Sequence, residues 1–277
     1  MRLFCFGYGY SAESLARKLS PRVTSVAGTR TSLPDVLDAG ITLAAYTGDD
    51  PSAEVSGLLA GATHVLVSIP PDLEGDAVLR HFGADLAALS DLTWIGYLST
   101  IGVYGDCKGA WIDETAPVRP TSERSLRRAL AERAWIAFGE ETGHRVDIFR
   151  LAGIYGPGRS VIDNLLSGTA RRIVKPGKVF NRIHVDDIAR VLAAAIDKRT
   201  EHRIFNVSDD EPAAPADVIA YAAELMGLPP RSGPRASASA TAASGATSAW
   251  SCCIRPIARA CAHWPGERGV DRQSQHG

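Results

Sequence analysis

No charge of either sign dominates this sequence. Its 30 Lys and Arg side chains face 31 Asp and Glu, for a formal net charge of -1, so nothing draws the whole molecule toward nucleic acid or a membrane surface. No apolar stretch approaches the roughly 20 residues of a spanning helix, and no basic region followed by a long apolar one opens the chain. The resulting expectation is a cytoplasmic protein with neither a nucleic-acid nor a membrane partner. Cysteine is sparse. Cys5 and Cys107 stand far apart, and Cys252, Cys253 and Cys261 fall in the tail without the spacing of a zinc site. Neither a disulfide nor a structural metal is expected, and no internal repeat is visible.

What the chain does have is apolar content, 45% over 277 residues, enough for one large α/β domain or two small ones. Apolar runs at residues 2–6, 23–27, 41–45, 64–69 and 94–99 read as strands, and helical patterns at 11–19, 51–60 and 73–89 fall between them. A polar loop at 105–120 leads to a helix over 122–142, a strand over 145–151 and a Gly- and Pro-rich break at 153–158. A helix at 185–197, a strand at 202–207 and a helix at 214–226 follow. Strand and helix alternating in this way predict an α/β fold, a doubly wound parallel sheet of Rossmann type with a small C-terminal substrate lobe. The expected divisions are a dinucleotide-binding core at 1–150, a small lobe with returning core elements at 151–230, and a low-complexity tail at 231–277.

The Ser-, Ala- and Gly-rich start of that tail has no apolar period and reads as disordered. The following Trp250–Pro265 text resembles neither a linker nor a domain. With suitable codons, residues 246–265 read in another frame resemble an ordinary helix-and-loop ending, so we expect about the last 45 residues to be out of frame, a hypothesis rather than a reading of composition. Sequencing the gene decides this, and an intact frame with no upstream insertion or deletion disproves it.

The first strand runs into Gly7-Tyr8-Gly9-Tyr10-Ser11-Ala12. In such a turn the first glycine allows the tight bend, the second lets backbone approach a phosphate, and the small third residue lets helix and strand pack closely. The helix over 11–19, opened by a capping Ser11 with Tyr10 just before it, then points its N-terminus at the anion. The second strand ends near Thr29-Arg30, where a site for NAD places an acidic residue against the ribose hydroxyl. Arg30 suits a 2′-phosphate instead, favouring NADP over NAD. Ser68 closes the fourth strand at the ligand-binding edge and is a candidate lining residue.

Leu98-Ser99-Thr100-Ile101-Gly102-Val103-Tyr104-Gly105-Asp106 resembles a motif of the extended short-chain dehydrogenase/reductases, the NAD-dependent epimerase/dehydratase family. Arg150–Gly158 and Arg182–Ala189 resemble two later motifs in the same order, so the resemblance covers about residues 1–227. It implies that Ser99 or Thr100 polarises a substrate carbonyl. It also implies a tyrosine and, four residues on, a lysine as proton relay. Alignment through Glu132 instead puts Arg124 and Arg128 at those positions. An arginine stays protonated and is a poor general acid, whereas two on one helical face suit an anionic substrate, and Arg128 also suits cofactor ribose or phosphate. Tyr104 is the candidate replacement phenol, and His184, beside Asp186 and Asp187, the lesser candidate for substrate contact.

These readings lead to an NAD(P)-dependent oxidoreductase or epimerase-like enzyme acting on a small polar or anionic substrate, with NADP as cofactor and NAD as second choice. The rivals are a nonenzymatic NADP-binding redox sensor or regulatory protein, and a sugar-nucleotide binder using Arg124 and Arg128 on a diphosphate. Oligomerisation is left open by the sequence.

Overall fold

A computed structural model describes residues 1–36, 38–169, 179–198 and 203–228, together with the backbone of 253–254. The expected tail at 231–277 lies outside the described residues except for that last dipeptide.

Seven parallel strands form the central sheet. In chain order the first half contains β1 (Arg2–Phe6), α1 (Tyr10–Leu19), β2 (Ser25–Arg30), β3 (Ile41–Ala45), α2 (Ala53–Leu59), β4 (His64–Val67), α3 (Ala77–Ala87) and β5 (Trp94–Thr100). The second half contains β6 (Trp111–Ile112), α4 (Glu123–Thr142), β7 (Val146–Leu151), β8 (Gly153–Tyr155), α5 (Val161–Leu166), β9 (Arg182–His184), α6 (Val185–Asp197), β10 (Ile204–Val207), α7 (Pro215–Leu225) and β11 (Cys253–Ile254). The sheet order is β3-β2-β1-β4-β5-β7-β10. The expected Rossmann-type α/β fold is what forms, and the order reverses between β1 and β4, where ligands sit in open α/β sheets.

Strand alternation splits the core into two layers. Leu3 and Cys5 of β1 join Leu15, Leu19, Trp94, Phe149, Ile188 and Leu192 on the face covered by α1 and α6. Phe4 and Phe6 join Val55, Phe82, Tyr97 and Trp135 on the face covered by α2, α3 and α4. Local signals set the helix ends. Ser52, Asp76 and Ser122 cap α2, α3 and α4 by accepting backbone N–H bonds, which is why α2 and α3 start later than the apolar pattern suggests. The second strand ends later than the apolar run, because pairing with β3 continues through Arg30↔Ala45.

Between β7 and β10 the chain leaves the sheet. It forms a two-stranded parallel pair, β8 with β9, and the short α5, then returns through α6. The insertion is stitched at its base, where Ala152 N donates to Val207 O at 2.9 Å.

A buried polar chain crosses the sheet edge. Arg150 and Glu132, each with a side chain only 4% exposed, form an ion pair of 2.7 Å. Ser99 donates its hydroxyl proton to Glu132, Arg150 donates to the Tyr104 hydroxyl at 2.8 Å, and Tyr104 donates to Asn206 Oδ1 at 2.7 Å. Glu114 extends the chain by accepting from Asn206 N at 2.7 Å. Removing either member of such a buried pair strands a charge and costs about 3–5 kcal/mol.

The expectation of no disulfide is corrected at Cys107, which is disulfide-bonded. The tail strand β11 pairs with β6 a few residues beyond it. Among the described residues no helix is long and apolar enough to cross a membrane.

At the opposite end of the sheet, the His64 ring lies 2.9 Å from Thr63 Oγ1 and 3.4 Å from Thr93 Oγ1. Burial, followed by nearby positive charge, pushes its pKa from 6.5 down to about 4. The unfolded chain therefore binds this proton before the folded one does, and stability is lost as pH falls from about 6.5 toward 4. His64→Asn is expected to reduce the drop in Tm between those pH values, and a drop equal to that of the wild type would contradict the assignment.

Candidate functional site

The turn after β1 is built to hold its backbone in one place. Gly7 has φ +84, and a Cβ there would lie 2.7 Å from Ser68 Oγ and 2.8 Å from Ile69 Cγ2. Both polar groups of Gly7 are gripped from neighbouring strands: its N–H donates to Thr29 Oγ1 at 2.9 Å, and its carbonyl accepts from Ser68 Oγ at 2.5 Å. Thr29 and Ser68 thus brace the turn from β2 and β4, with Tyr8 N donating to Thr29 O at 2.7 Å. Gly9 is a different case, since a Cβ there would meet nothing within 4 Å.

Gly9 is also the N-cap of α1 and supplies no side-chain cap. The N–H groups of the first turn, at Tyr10, Ser11 and Ala12, are therefore left for an anion, which the helix dipole also favours. Ser11 and Ala12 are buried against the sheet, so the small residue at position 12 permits the close approach expected of it. Tyr10 turns its side chain away toward a later loop, donating to Pro157 O at 3.0 Å.

Arg30, at the end of β2, donates through Nε to Tyr8 O at 2.6 Å and through Nη2 to the Glu13 carboxylate. Glu13 belongs to the first turn of α1. A carboxylate thus stands beside the arginine read as a 2′-phosphate ligand, a partner that linear motif reading missed although Glu13 follows Gly9 by one helical turn.

The ends of β5 and α4 divide the remaining candidates. Ser99 is 6% exposed and its hydroxyl is committed to Glu132. Tyr104 is 2% exposed, with the Arg150 guanidinium carbon 4.8 Å from its ring centroid. Burial raises its pKa, outweighing the lowering by Arg150. Both side chains belong to the buried polar chain, with their hydroxyls bonded to Glu132 and Asn206. Thr100 is different. It is half-buried, its Oγ1 accepts from Gly102 N at 3.1 Å to cap the single turn Ile101–Tyr104, and its proton meets no acceptor among the described residues.

Arg128 reaches from α4 to the carboxyl end of β5. Its Nη1 donates to Leu98 O at 2.9 Å and to the Tyr97 hydroxyl at 3.1 Å, and its guanidinium carbon lies 5.5 Å from the Tyr97 ring centroid. Arg124, one turn earlier, is exposed and makes no hydrogen bond or ion pair among the described residues. Arg127, by contrast, pairs with Glu123 at 3.2 Å. His184 caps α6 by accepting from Asp186 N at 3.2 Å and packs edge-on against Tyr155, with ring centroids 5.2 Å apart. All these groups, from Gly7 to Arg128, collect at the carboxyl edge of one sheet.

Comparison with known proteins agrees with this architecture. A model of the NAD dependent epimerase/dehydratase family matches residues 85–208. The solved structure of a functionally unknown conserved protein from Silicibacter pomeroyi DSS is 47% identical, with 82% of this chain and 79% of that one covered and a TM-score of 0.73. Protein YeeZ of Escherichia coli strain K12 is 27% identical over 243 residues, covering 81% of this chain and 83% of its own. UDP-glucuronic acid 4-epimerase from Bacillus cereus, solved with UDP-glucuronic acid and NAD, shares the fold at a TM-score of 0.74 and 17% identity, with 98% of this chain and 95% of that one covered. Residues 85–208 thus match the NAD-dependent epimerase/dehydratase family, and the chain shares its fold with these solved structures.

The two glycines of the turn should separate cleanly. Gly7→Ala is expected to cost about 1–3 kcal/mol through backbone strain and the clash with Ser68 and Ile69. Gly9→Ala should cost about 1 kcal/mol or less, the penalty of a poorer cap. Urea denaturation of both variants checks this, and equal losses would contradict the geometry.

Proposed function

We propose that this chain is a nicotinamide-dependent oxidoreductase or epimerase-like enzyme acting on a small polar or anionic substrate. The observation that carries the reading is the meeting, on one sheet edge, of an uncapped α1 N-terminus beside the open Gly9 with a threonine hydroxyl and two arginines. The first half of that edge fits a dinucleotide pyrophosphate. Gly9, Tyr10, Ser11 and Ala12 would hold it, and the bound nicotinamide would supply the hydride chemistry. The second half fits a reacting carbonyl or alcohol. Thr100 has a proton to offer an oxygen on which negative charge develops, whereas Ser99 has already given its own to Glu132.

Arg124 and Arg128 stand where the family resemblance calls for Tyr and Lys. A guanidinium is a poor general acid, so their part is to hold an anionic group rather than to pass a proton. Arg128 is pre-set for this by Leu98 O and Tyr97, and Arg124 by the absence of a competing acid among the described residues. Arg30 supports NADP over NAD, with Glu13 limiting the preference because its carboxylate both neutralises the guanidinium and repels a 2′-phosphate.

One observation favours a second reading, a nonenzymatic NADP-binding sensor. Ser99 and Tyr104, two of the hydroxyl groups nearest the family's catalytic motif, face inward. Titration with NADH and NADPH, followed by a turnover screen on carbonyl and alcohol substrates bearing anionic groups, decides between the two, since binding without turnover across broad chemistry supports the sensor. For an enzyme, Thr100→Val is expected to lower kcat about 100-fold with cofactor affinity unchanged. Glu13→Gln is expected to tighten NADPH relative to NADH, and an unchanged ratio would remove Arg30 from the site.

A further inference from the structure

The turn after β8 carries a cation and is fastened to the first residue of α1. Tyr10 Oη donates to Pro157 O at 3.0 Å, and a Cβ on Gly156 would lie 2.4 Å from that same hydroxyl and 2.9 Å from Val185 Cγ1. Gly156 has φ +153, a conformation that side chains rarely adopt, so contact and backbone both require glycine. The turn closes on itself: Gly156 N donates to Arg159 O at 3.3 Å and Arg159 N to Gly156 O at 3.0 Å. Immediately beyond, Ser160 caps α5. The backbone of Arg159 is therefore fixed on both sides.

Its side chain follows Tyr10. The Arg159 guanidinium carbon lies 6.0 Å from the Tyr10 ring centroid, and the guanidinium makes no hydrogen bond or ion pair among the described residues. The neighbouring carboxylate of Asp163 is occupied by Ser160, accepting from its N at 2.7 Å and from its Oγ at 2.6 Å. An exposed arginine is thus held over the residue whose backbone N–H opens α1, beside the one helix start whose first turn has been read as a phosphate seat.

We propose that Arg159 is a further cofactor-binding residue, a clamp from the second lobe on the dinucleotide's pyrophosphate. The inference rests on the cofactor reading above and deepens it: the glycine turn supplies backbone donors from below, and Arg159 supplies a full charge and forked donors from across the cleft. Because the pyrophosphate is common to NAD and NADP, Arg159 contributes affinity without choosing between them, in contrast to Arg30.

Calorimetric titration of the full chain with NADH, NADPH, ADP-ribose and adenosine, at low and high salt, tests this. Arg159→Gln is expected to weaken both dinucleotides and ADP-ribose by about tenfold, to leave adenosine and the NADPH-to-NADH ratio unchanged, and to flatten the salt dependence. Arg159→Lys should recover part of the loss. Wild-type binding left intact by Arg159→Gln overturns the clamp alone, as does a loss confined to one of the two dinucleotides. No binding of any dinucleotide by the wild type overturns the cofactor reading and the clamp with it.

Discussion

The buried ion pair between Arg150 and Glu132 is the constraint on which the rest of the site depends. It joins the carboxyl end of β7 to the inner face of α4, and through Ser99 and Tyr104 it also fixes the end of β5 and the turn that follows. Two charges withdrawn from water are tolerated only when most of their hydrogen-bonding capacity is met. Here Glu132 accepts from Ser99 and from Nε and Nη2 of Arg150, while Nη1 of Arg150 is taken up by Tyr104. The pair therefore sets the register of α4 against the sheet. Arg128 and Arg124, one and two turns before Glu132, are carried to the sheet edge by that register.

This explains why some of the motif was legible in the sequence and some was not. The parallel sheet, the glycine turn and the helix starts follow from local rules: apolar period, capping residues and the need for a left-handed residue at Gly7. The division of labour between Ser99 and Thr100 does not. Adjacent strand residues point to opposite faces, so one of the two must turn toward α4, but the identity of its partner there depends on a residue 33 positions away. The surroundings of Tyr104 are illegible for the same reason, since its acceptor, Asn206, comes from the last strand of the sheet. Charge was harder still to read. Arg30 reads as free in the linear text, and Glu13 comes beside it only when β1 and β2 pair and α1 folds back over them.

Thr29 and Ser68 likewise have partners that the linear text does not show. Both lie where cofactor contacts are sought; Ser68 donates its hydroxyl to the Gly7 carbonyl, and Thr29 Oγ1 accepts from Gly7 N. Together they restrain the Gly7 backbone from two sides. A glycine turn held from two strands loses little freedom when a ligand arrives, so less of the binding energy goes into ordering it.

The insertion between β7 and β10 bears on how the chain reaches this state. Ile148 and Ile204 are neighbours in the sheet, yet the whole of β8, α5, β9 and α6 lies between them. Their pairing closes one of the long loops of the fold, and such closures are slow even when they add much stability. The outer strand is thus suited to docking late, after β1, β4 and β5 have assembled with their shorter crossovers. Without β10, β7 would present an open edge, and the polar chain around Arg150 would lack Asn206. The segment from β8 to α6 is thus tethered to the sheet at both of its ends.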